Sequence, residues 1–309
     1  MSPKIACSVM AVAFASAVAF AVEPQTWYVD NKLADYAGHD GASWTKAYRI
    51  IQDAVNAAAS GDTILVAPGT YGDEQGSRTS TYVDSKGLTQ STLVARVVIP
   101  ADKALTIKST GGKELTHIVG AFGQTKVFEG EEEGCGAGAI GGFVIAYDSA
   151  VDVSKGSRIE GFTIRRVAPS NSGYRGGGVA YLPDPGNNKA IANLPWVVDC
   201  VVSNSAVGGS GILGNVNCAR VWVYRPKSSG NNGTVCAYNC NAIHSVFVGG
   251  RNCNGNGTAI GIAYGRFVNC SFFDFGNRTT SSNGVRLFAN CIDEGGNGRL
   301  DDDAKSVYA

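Results

Sequence analysis

The side chains best suited to chemistry are cationic and fall in loops. Residues 165–176 carry Arg165, Arg166 and Arg175, residues 224–233 carry Arg225 and Lys227, residues 249–257 carry Arg251, and residues 275–284 carry Arg278. A guanidinium forks onto a carboxylate through two parallel hydrogen bonds, so a row of such loops suits an acidic chain such as a uronate-bearing polysaccharide. Residues 203–209 carry no basic side chain and interrupt the row. Flat apolar rings offer a face for sugar stacking. Tyr181 and Trp196 flank the insertion from Leu182 to Pro195 and join the binding candidates Arg175, Arg225, Lys227, Arg251 and Arg278.

Catalytic groups converge less well. Hydrolysis of a glycosidic bond needs two carboxylates facing one another across it, and elimination from a uronate needs a base beside a neutralised carboxylate. Arg225 is the candidate base, with Asp184 and Asp274 as candidate carboxylates, and no pair of these stands out by spacing. His39, His117 and His244 are far apart and carry no metal or triad spacing, so neither a metal nor another cofactor is expected. Calcium has one weak candidate stretch, Asp293 to Asp303, but Gly295 and Ala304 stand where such a loop wants oxygen ligands. The G-x-G-x-x-G run from Gly136 to Gly141 has no helix pattern after it, which argues against a nucleotide. With 26 basic and 26 acidic residues the chain has no net field to draw nucleic acid, and recognition must be local.

The elements that would position these loops repeat. Five times a glycine-led or Asn-Gly step runs into a short apolar segment, and Val179, Ile212, Val235, Ile260 and Val285 read as equivalent, with a period near 24 residues. A second beat follows in most units, including Asn217-Cys218, Asn269-Cys270 and Asn290-Cys291, so each repeat holds more than one strand. Short coils cannot bury an apolar face alone and must stack at about 4.8 Å. Asn takes the left-handed backbone at little cost. Asn217, Asn239, Asn269 and Asn290 are therefore expected at corners, with Cys218, Cys240, Cys270 and Cys291 pointing inward, and His244 and Asp199 are expected on the same corner column.

Residues 1–21 read as a signal peptide: Lys4, an apolar run from Ile5 to Phe20, and Ala19-Phe20-Ala21 as the cleavage site. The protein is then secreted, periplasmic or on the cell surface, and no later run is long enough to span a membrane. Eight cysteines remain after Cys7 leaves. An even count in an oxidising compartment suggests bridges, yet cysteines stacked at about 4.8 Å exceed the Cβ separation of roughly 3.8 Å that a bridge prefers. Buried thiols acting as small apolar side chains and at least one bridge, most readily through Cys253, both stay open. Glycine contributes 41 residues, which suits a turn-rich all-β chain. With no linker in sight, residues 22–309 read as one domain: a cap over 22–60, coils over 61–292 and a tail over 293–309. In the cap, Ile51, Ala54, Val55 and Ala58 share one helix face, which predicts a helix from Lys46 to Ala59 with Ser43 or Thr45 as N-cap.

The runs Asp40 to Ala47, Ile51 to Val55 and Gly61 to Tyr71, with Ile159 to Ile164 and the Asn-Cys-Ser-Phe step at 269–272, resemble the opening cap and coils of secreted bacterial right-handed parallel β-helix proteins of the pectin-lyase-like superfamily. The resemblance implies an all-β, right-handed parallel β-helix with an N-terminal amphipathic helix cap. For activity it implies little, because that superfamily holds lyases, hydrolases, epimerases and adhesins. The function expected is a secreted or surface module that binds extracellular glycan, possibly acidic polysaccharide. The alternative is a polysaccharide lyase or glycoside hydrolase acting on uronate-containing polysaccharide. The oligomeric state is not legible.

Overall fold

The computed structural model describes residues 23–309 apart from 35–36, 84–88, 125, 128–133, 149, 152, 171–175, 183–192, 208–210, 225, 229–233, 250–259, 274–277, 281–284, 295–305 and 308–309. The fold is the right-handed parallel β-helix. Among the described residues one sheet holds 16 strands and a second holds nine, nearly all paired in parallel. No described helix is long and apolar enough to cross a membrane.

Each coil contributes three short strands. Leu213–Gly214, Asn217–Ala219 and Trp222–Tyr224 form one such set. They are separated by Asn215 and Arg220, both with positive φ. In the next coil a single strand, Thr234–Ile243, serves the first two positions: its Ala237 pairs with Leu213 and its Asn241 with Asn217. The larger sheet is therefore creased where Asn239 takes φ 52°, and the helix has three faces. From Cys218 to Ala242 and from Ala242 to Phe267 the coils advance by 24 and 25 residues.

Inward side chains pile in columns. Ile64, Ile107, Ile159, Val197, Cys218, Ala242, Phe267 and Phe288 are in successive register, and all are buried. On the second sheet Tyr71, Ile118, Ile164, Val202, Val223, Phe247 and Phe272 do the same. Burial of such side chains is worth about 1.5–3 kcal/mol each before conformational entropy is set against it.

The repeat is real but its expected phase needs correcting. Val179 is in register with Leu213, Ala237 and Ile262, not with Ile212, Val235 and Ile260, and Val285 pairs with Gly265. The corner residues also divide. Gly161, Asp199, Arg220, His244, Asn269 and Asn290 form one left-handed column, and Asn215, Asn239 and Tyr264 form another. Asn217 belongs to neither: it lies in a strand, donating from Nδ2 to the Leu194 carbonyl at 2.9 Å and accepting from Asn241 at 3.0 Å. The Asn-Cys step at 217–218 has the look of the corner at 239–240, but the left-handed residue is Asn215, two positions earlier.

The residue after a corner has a definite task. The thiols of Cys200, Cys240, Cys270 and Cys291 donate to the carbonyls two residues back, at 3.2–3.4 Å, and the Ser245 hydroxyl donates to Ile243 at 2.9 Å. Those carbonyls also accept an N–H from the preceding coil, as Val198 does from Gly161 at 3.0 Å and Ala289 from Asn269 at 3.0 Å, so the short side chain supplies a second donor to a carbonyl that has two lone pairs. All seven described cysteines are thiols, and Cys253 lies outside the described residues.

The N-terminal helix is shorter than its periodicity predicts. Trp44–Lys46 is a 3-10 turn and the α-helix spans Ile51–Ala57. The stretch between them is drawn into extended pairing: the Tyr48 N–H donates to the Tyr28 carbonyl at 2.9 Å and the Asp30 N–H to the Tyr48 carbonyl at 2.8 Å. Ile50, rather than Ser43 or Thr45, is the N-cap. The cap function comes from afar, because Gln75 Oε1 accepts the Ile51 N–H at 2.9 Å. Ile51, Ala54, Val55 and Ala58 do face the core. The chain that follows forms the 3-10 turn Asp73–Gln75 and an antiparallel pair of Arg78–Val83 on Thr89–Ile99.

Asp62 ties this end together. Its carboxylate accepts from the Trp27 indole at 2.7 Å and from the Gln25 and Ala59 N–H groups at 2.8 Å. Burial opposes its ionisation, but these three donors, with help from the Lys103 charge, hold its pKa below the usual carboxylate value. A depressed folded pKa stabilises the fold above the ordinary value of about 3.9 and loses that stabilisation as pH falls through the folded pKa. Asp62→Asn is therefore expected to lower stability at neutral pH, with the gap to wild type narrowing on acidification. Denaturant unfolding at neutral and stepwise lower pH reads both.

Candidate functional site

The outward side of the second sheet carries two parallel columns. One runs Thr163, Val201, Trp222, Val246, Ser271 and Ile292, and the other Arg165, Ser203, Tyr224, Val248 and Phe273. The strands alternate in and out, so Val223 is buried while Trp222 and Tyr224 on either side stand out. They are 55% and 50% exposed. Val201, Val246, Val248 and Phe273 are half-buried around them, and Arg165 is exposed. The result is a flat strip with two large rings on one rung, aliphatic neighbours above and below, and a guanidinium two rungs from Tyr224 in the same column. Such a strip can stack a planar apolar face while its polar rim takes hydrogen bonds.

Strand alternation was the only sequence signal for these two rings. Trp222, between Val221 and Val223, reads equally as core or surface until the register of its sheet is known.

The corner beside this strip holds a forked ion pair. Arg220 donates from Nε and Nη2 to the two Asp199 oxygens, each at 2.6 Å. These hydrogen bonds, against some burial, keep the Asp199 carboxyl below its usual range and push Arg220 up. Both groups are thereby engaged with each other at a left-handed corner.

The side chains singled out from sequence are distributed as follows. Trp196, 39% exposed, stands on a different face, in register with Arg158 and Asn217. On that face Glu160 accepts from Arg158 at 2.7 Å and pairs with Lys108 at 3.0 Å. Tyr181 is corrected: it is 1% exposed, set edge-on against Tyr147 inside the coil, and offers no ring face to a ligand. Its register with Phe143-Val144-Ile145 on the preceding coil turns it to the core. Of Lys227 and Arg278 the backbone is described: Lys227 pairs with Ala206, and Arg278 with Ile260. Arg175, Arg225, Arg251, Asp184 and Asp274 lie outside the described residues, as does most of the stretch weighed for calcium. Among the described residues no group of three or more His, Cys, Asp or Glu is disposed to hold a metal.

A cleft of about 290 Å³ lies at the N-terminal end, lined by His39, Tyr48, Arg49, Ile50, Asp53 and Glu74. His39 Nδ1 is 2.9 Å from the Ala47 carbonyl. Burial, with the charges of Asp40 and Asp53, raises the Tyr48 pKa, so its hydroxyl stays protonated.

Among solved structures the chain is similar to pectate lyase Pel9A, at 14% identity and a TM-score of 0.40 over 91% of this chain and 56% of that one. It is similar to a rhamnogalacturonan lyase at 10% identity and 0.42, covering 86% and 74%, and to the pectin methylesterase PemA from Erwinia chrysanthemi at 12% and 0.36, covering 94% of each. The chain thus spans little more than half the length of the pectate lyase. No protein-family model matches the sequence, and no curated protein does.

Proposed function

We propose that this β-helix is a secreted or surface module that binds extracellular glycan along the outer strip of its second sheet. The observation that carries this reading is the pairing of Trp222 and Tyr224, both half in solvent on one rung of a flat, rigid face. Two exposed rings side by side among half-buried aliphatic neighbours make a contiguous apolar patch, the kind of surface that marks an interaction site. A solenoid also presents equivalent positions at regular intervals, which suits a ligand that itself repeats.

Acidic polysaccharide is the ligand class favoured. Arg165 lies in the Tyr224 column. In the sequence Arg225, Lys227, Arg251 and Arg278 follow closely on the in-register strands Trp222–Tyr224, Val246–Val248 and Ser271–Phe273. That supports an arrangement of cations along one edge of the strip, where they would contact the carboxylates of the ligand.

The test is binding of the mature protein to polygalacturonate, alginate and a neutral glucan, read by calorimetry and affinity electrophoresis. Trp222→Ala and Tyr224→Ala are each expected to weaken binding by about tenfold, some 1.4 kcal/mol. The triple change Arg225→Ala, Arg251→Ala and Arg278→Ala is expected to weaken acidic polysaccharide selectively and to flatten the dependence on salt. Unchanged affinity in both ring variants would sink the proposal. Unsaturated or reducing ends appearing in the same incubations would replace binding by the lyase or hydrolase reading.

A further inference from the structure

We propose that Cys270 and Cys291 are a thiol pair that exchanges with a disulfide-bearing partner, an oxidised thiol or a dithiol oxidoreductase, and closes into a bridge between neighbouring coils at the C-terminal end of the second sheet. Among the described residues they are the one pair of cysteines in direct register: Val268 pairs with Ala289 before them and Ser271 with Ile292 after them. The preceding residues are held one over the other as well, since Asn290 Nδ2 donates to Asn269 Oδ1 at 2.7 Å. The two thiols are close enough to shift each other's ionisation.

In-register neighbours on parallel coils have Cα atoms about 4.8 Å apart, inside the 4.4–6.8 Å span of a disulfide. Their Cβ atoms must close by somewhat less than about 1 Å. Inside the stack that movement is resisted by coils on both sides. Here Ile292–Glu294 ends the second sheet and pairs only with Ser271–Phe273 among the described strands, so past the corner Cys291 is held by a ladder on one side only, although Ala289 before the corner also pairs with Val307. Cys218 and Cys240 supply the contrast: they also touch, but the register partner of Cys218 is Ala242, and both thiols are fully buried between coils.

The exchange has a direction. Cys291 is half-buried whereas Cys270 is 1% exposed. The mutual influence of the two adjacent thiols brings that of Cys291 down to about 7 and raises that of Cys270. Cys291 is accordingly the thiolate that attacks one sulfur of the incoming disulfide, releasing one thiolate and leaving a mixed disulfide. Cys270 then gives up its proton, attacks the Cys291 sulfur and expels the second thiolate. The protein loses two hydrogens and the incoming disulfide is reduced to two thiols.

The experiment treats the folded mature chain with oxidised glutathione, quenches with acid, and maps cysteines by mass spectrometry. The expected product is an intact mass lower by two hydrogens, a Cys270–Cys291 cross-linked peptide, and Cys291 alkylation slowed by more than about tenfold after oxidation. Cys270→Ser is expected to trap one glutathione on Cys291, and Cys291→Ser to take up none at either position. Circular dichroism establishes that each variant is folded, and the wild-type map decides the matter should either fail. A lasting glutathione adduct on the wild type, a bridge from Cys291 to Cys253, a faster Cys218–Cys240 bridge, or no reaction would overturn the proposal.

Discussion

Phe267→Ala is expected to destabilise the protein by about 3–5 kcal/mol, the cost of a large cavity in a core that cannot collapse around it. Phe267 is fully buried. Its ring lies 5.6 Å from Phe272 and Phe288 and 5.8 Å from Phe247, edge-on to Phe247 and Phe272 and stacked with Phe288. These four rings fill the interior where the inward columns change from Cys218 and Ala242 to aromatic side chains. Neighbouring coils are locked in backbone register on either side, so the walls of the cavity cannot move inward independently. The loss is read from denaturant midpoints. Phe267→Leu, which keeps most of the volume, is expected to restore more than half of it. Equal stability of the alanine variant and wild type would mean that the aromatic cluster is not packed as described.

Arg96→Ala is expected to cost about 2–3 kcal/mol, from lost hydrogen bonds rather than lost volume. Arg96 is 3% exposed within the long strand Thr89–Ile99. Its Nε donates to the Val119 carbonyl at 2.7 Å, Nη1 to the Gly76 carbonyl at 2.8 Å and Nη2 to Asp73 at 2.5 Å. One side chain thus joins the second sheet, the 3-10 turn and the hairpin. Its removal leaves the Val119 and Gly76 carbonyls without these donors. Asp73, by contrast, is almost wholly in solvent, so Asp73→Ala is expected to change stability far less. Thermal unfolding of both variants separates the roles: similar losses would show that the exposed ion pair, rather than the carbonyl contacts, carries the interaction.

The cysteines show how far local pattern reaches. Their place one step past Asn269 and Asn290 is legible, because Asn takes the left-handed conformation at little cost, although Asp199, Arg220 and His244 hold the same column. At Asn217 the same dipeptide misleads. Asn215-Val216-Asn217-Cys218 and Asn239-Cys240-Asn241-Ala242 offer two asparagines each, and only the ladder pairing of Leu213 with Ala237 decides which one bends. Tyr181 and Trp222 are the corresponding case among the rings. Both lie in apolar runs, and one turned out buried and the other exposed. A strand of three residues has too few alternations to declare its own faces.

What the amino-acid order determined by itself is the winding: glycine-led starts, asparagine corners and a period near 24 residues leave stacking as the only way to bury the apolar positions. It also determined that the opening stretch contains an amphipathic helical segment, since Ile51, Ala54, Val55 and Ala58 must share a face. Only the tertiary structure decided the phase of the coils, the loss of the helix's first turn to pairing with the first strand, and the assembly of Trp222, Tyr224 and Arg165 on one strip. The reason is that register is a relation between residues some two dozen positions apart. A shift of one residue reverses every side chain from core to solvent, and nothing within a single coil can specify it.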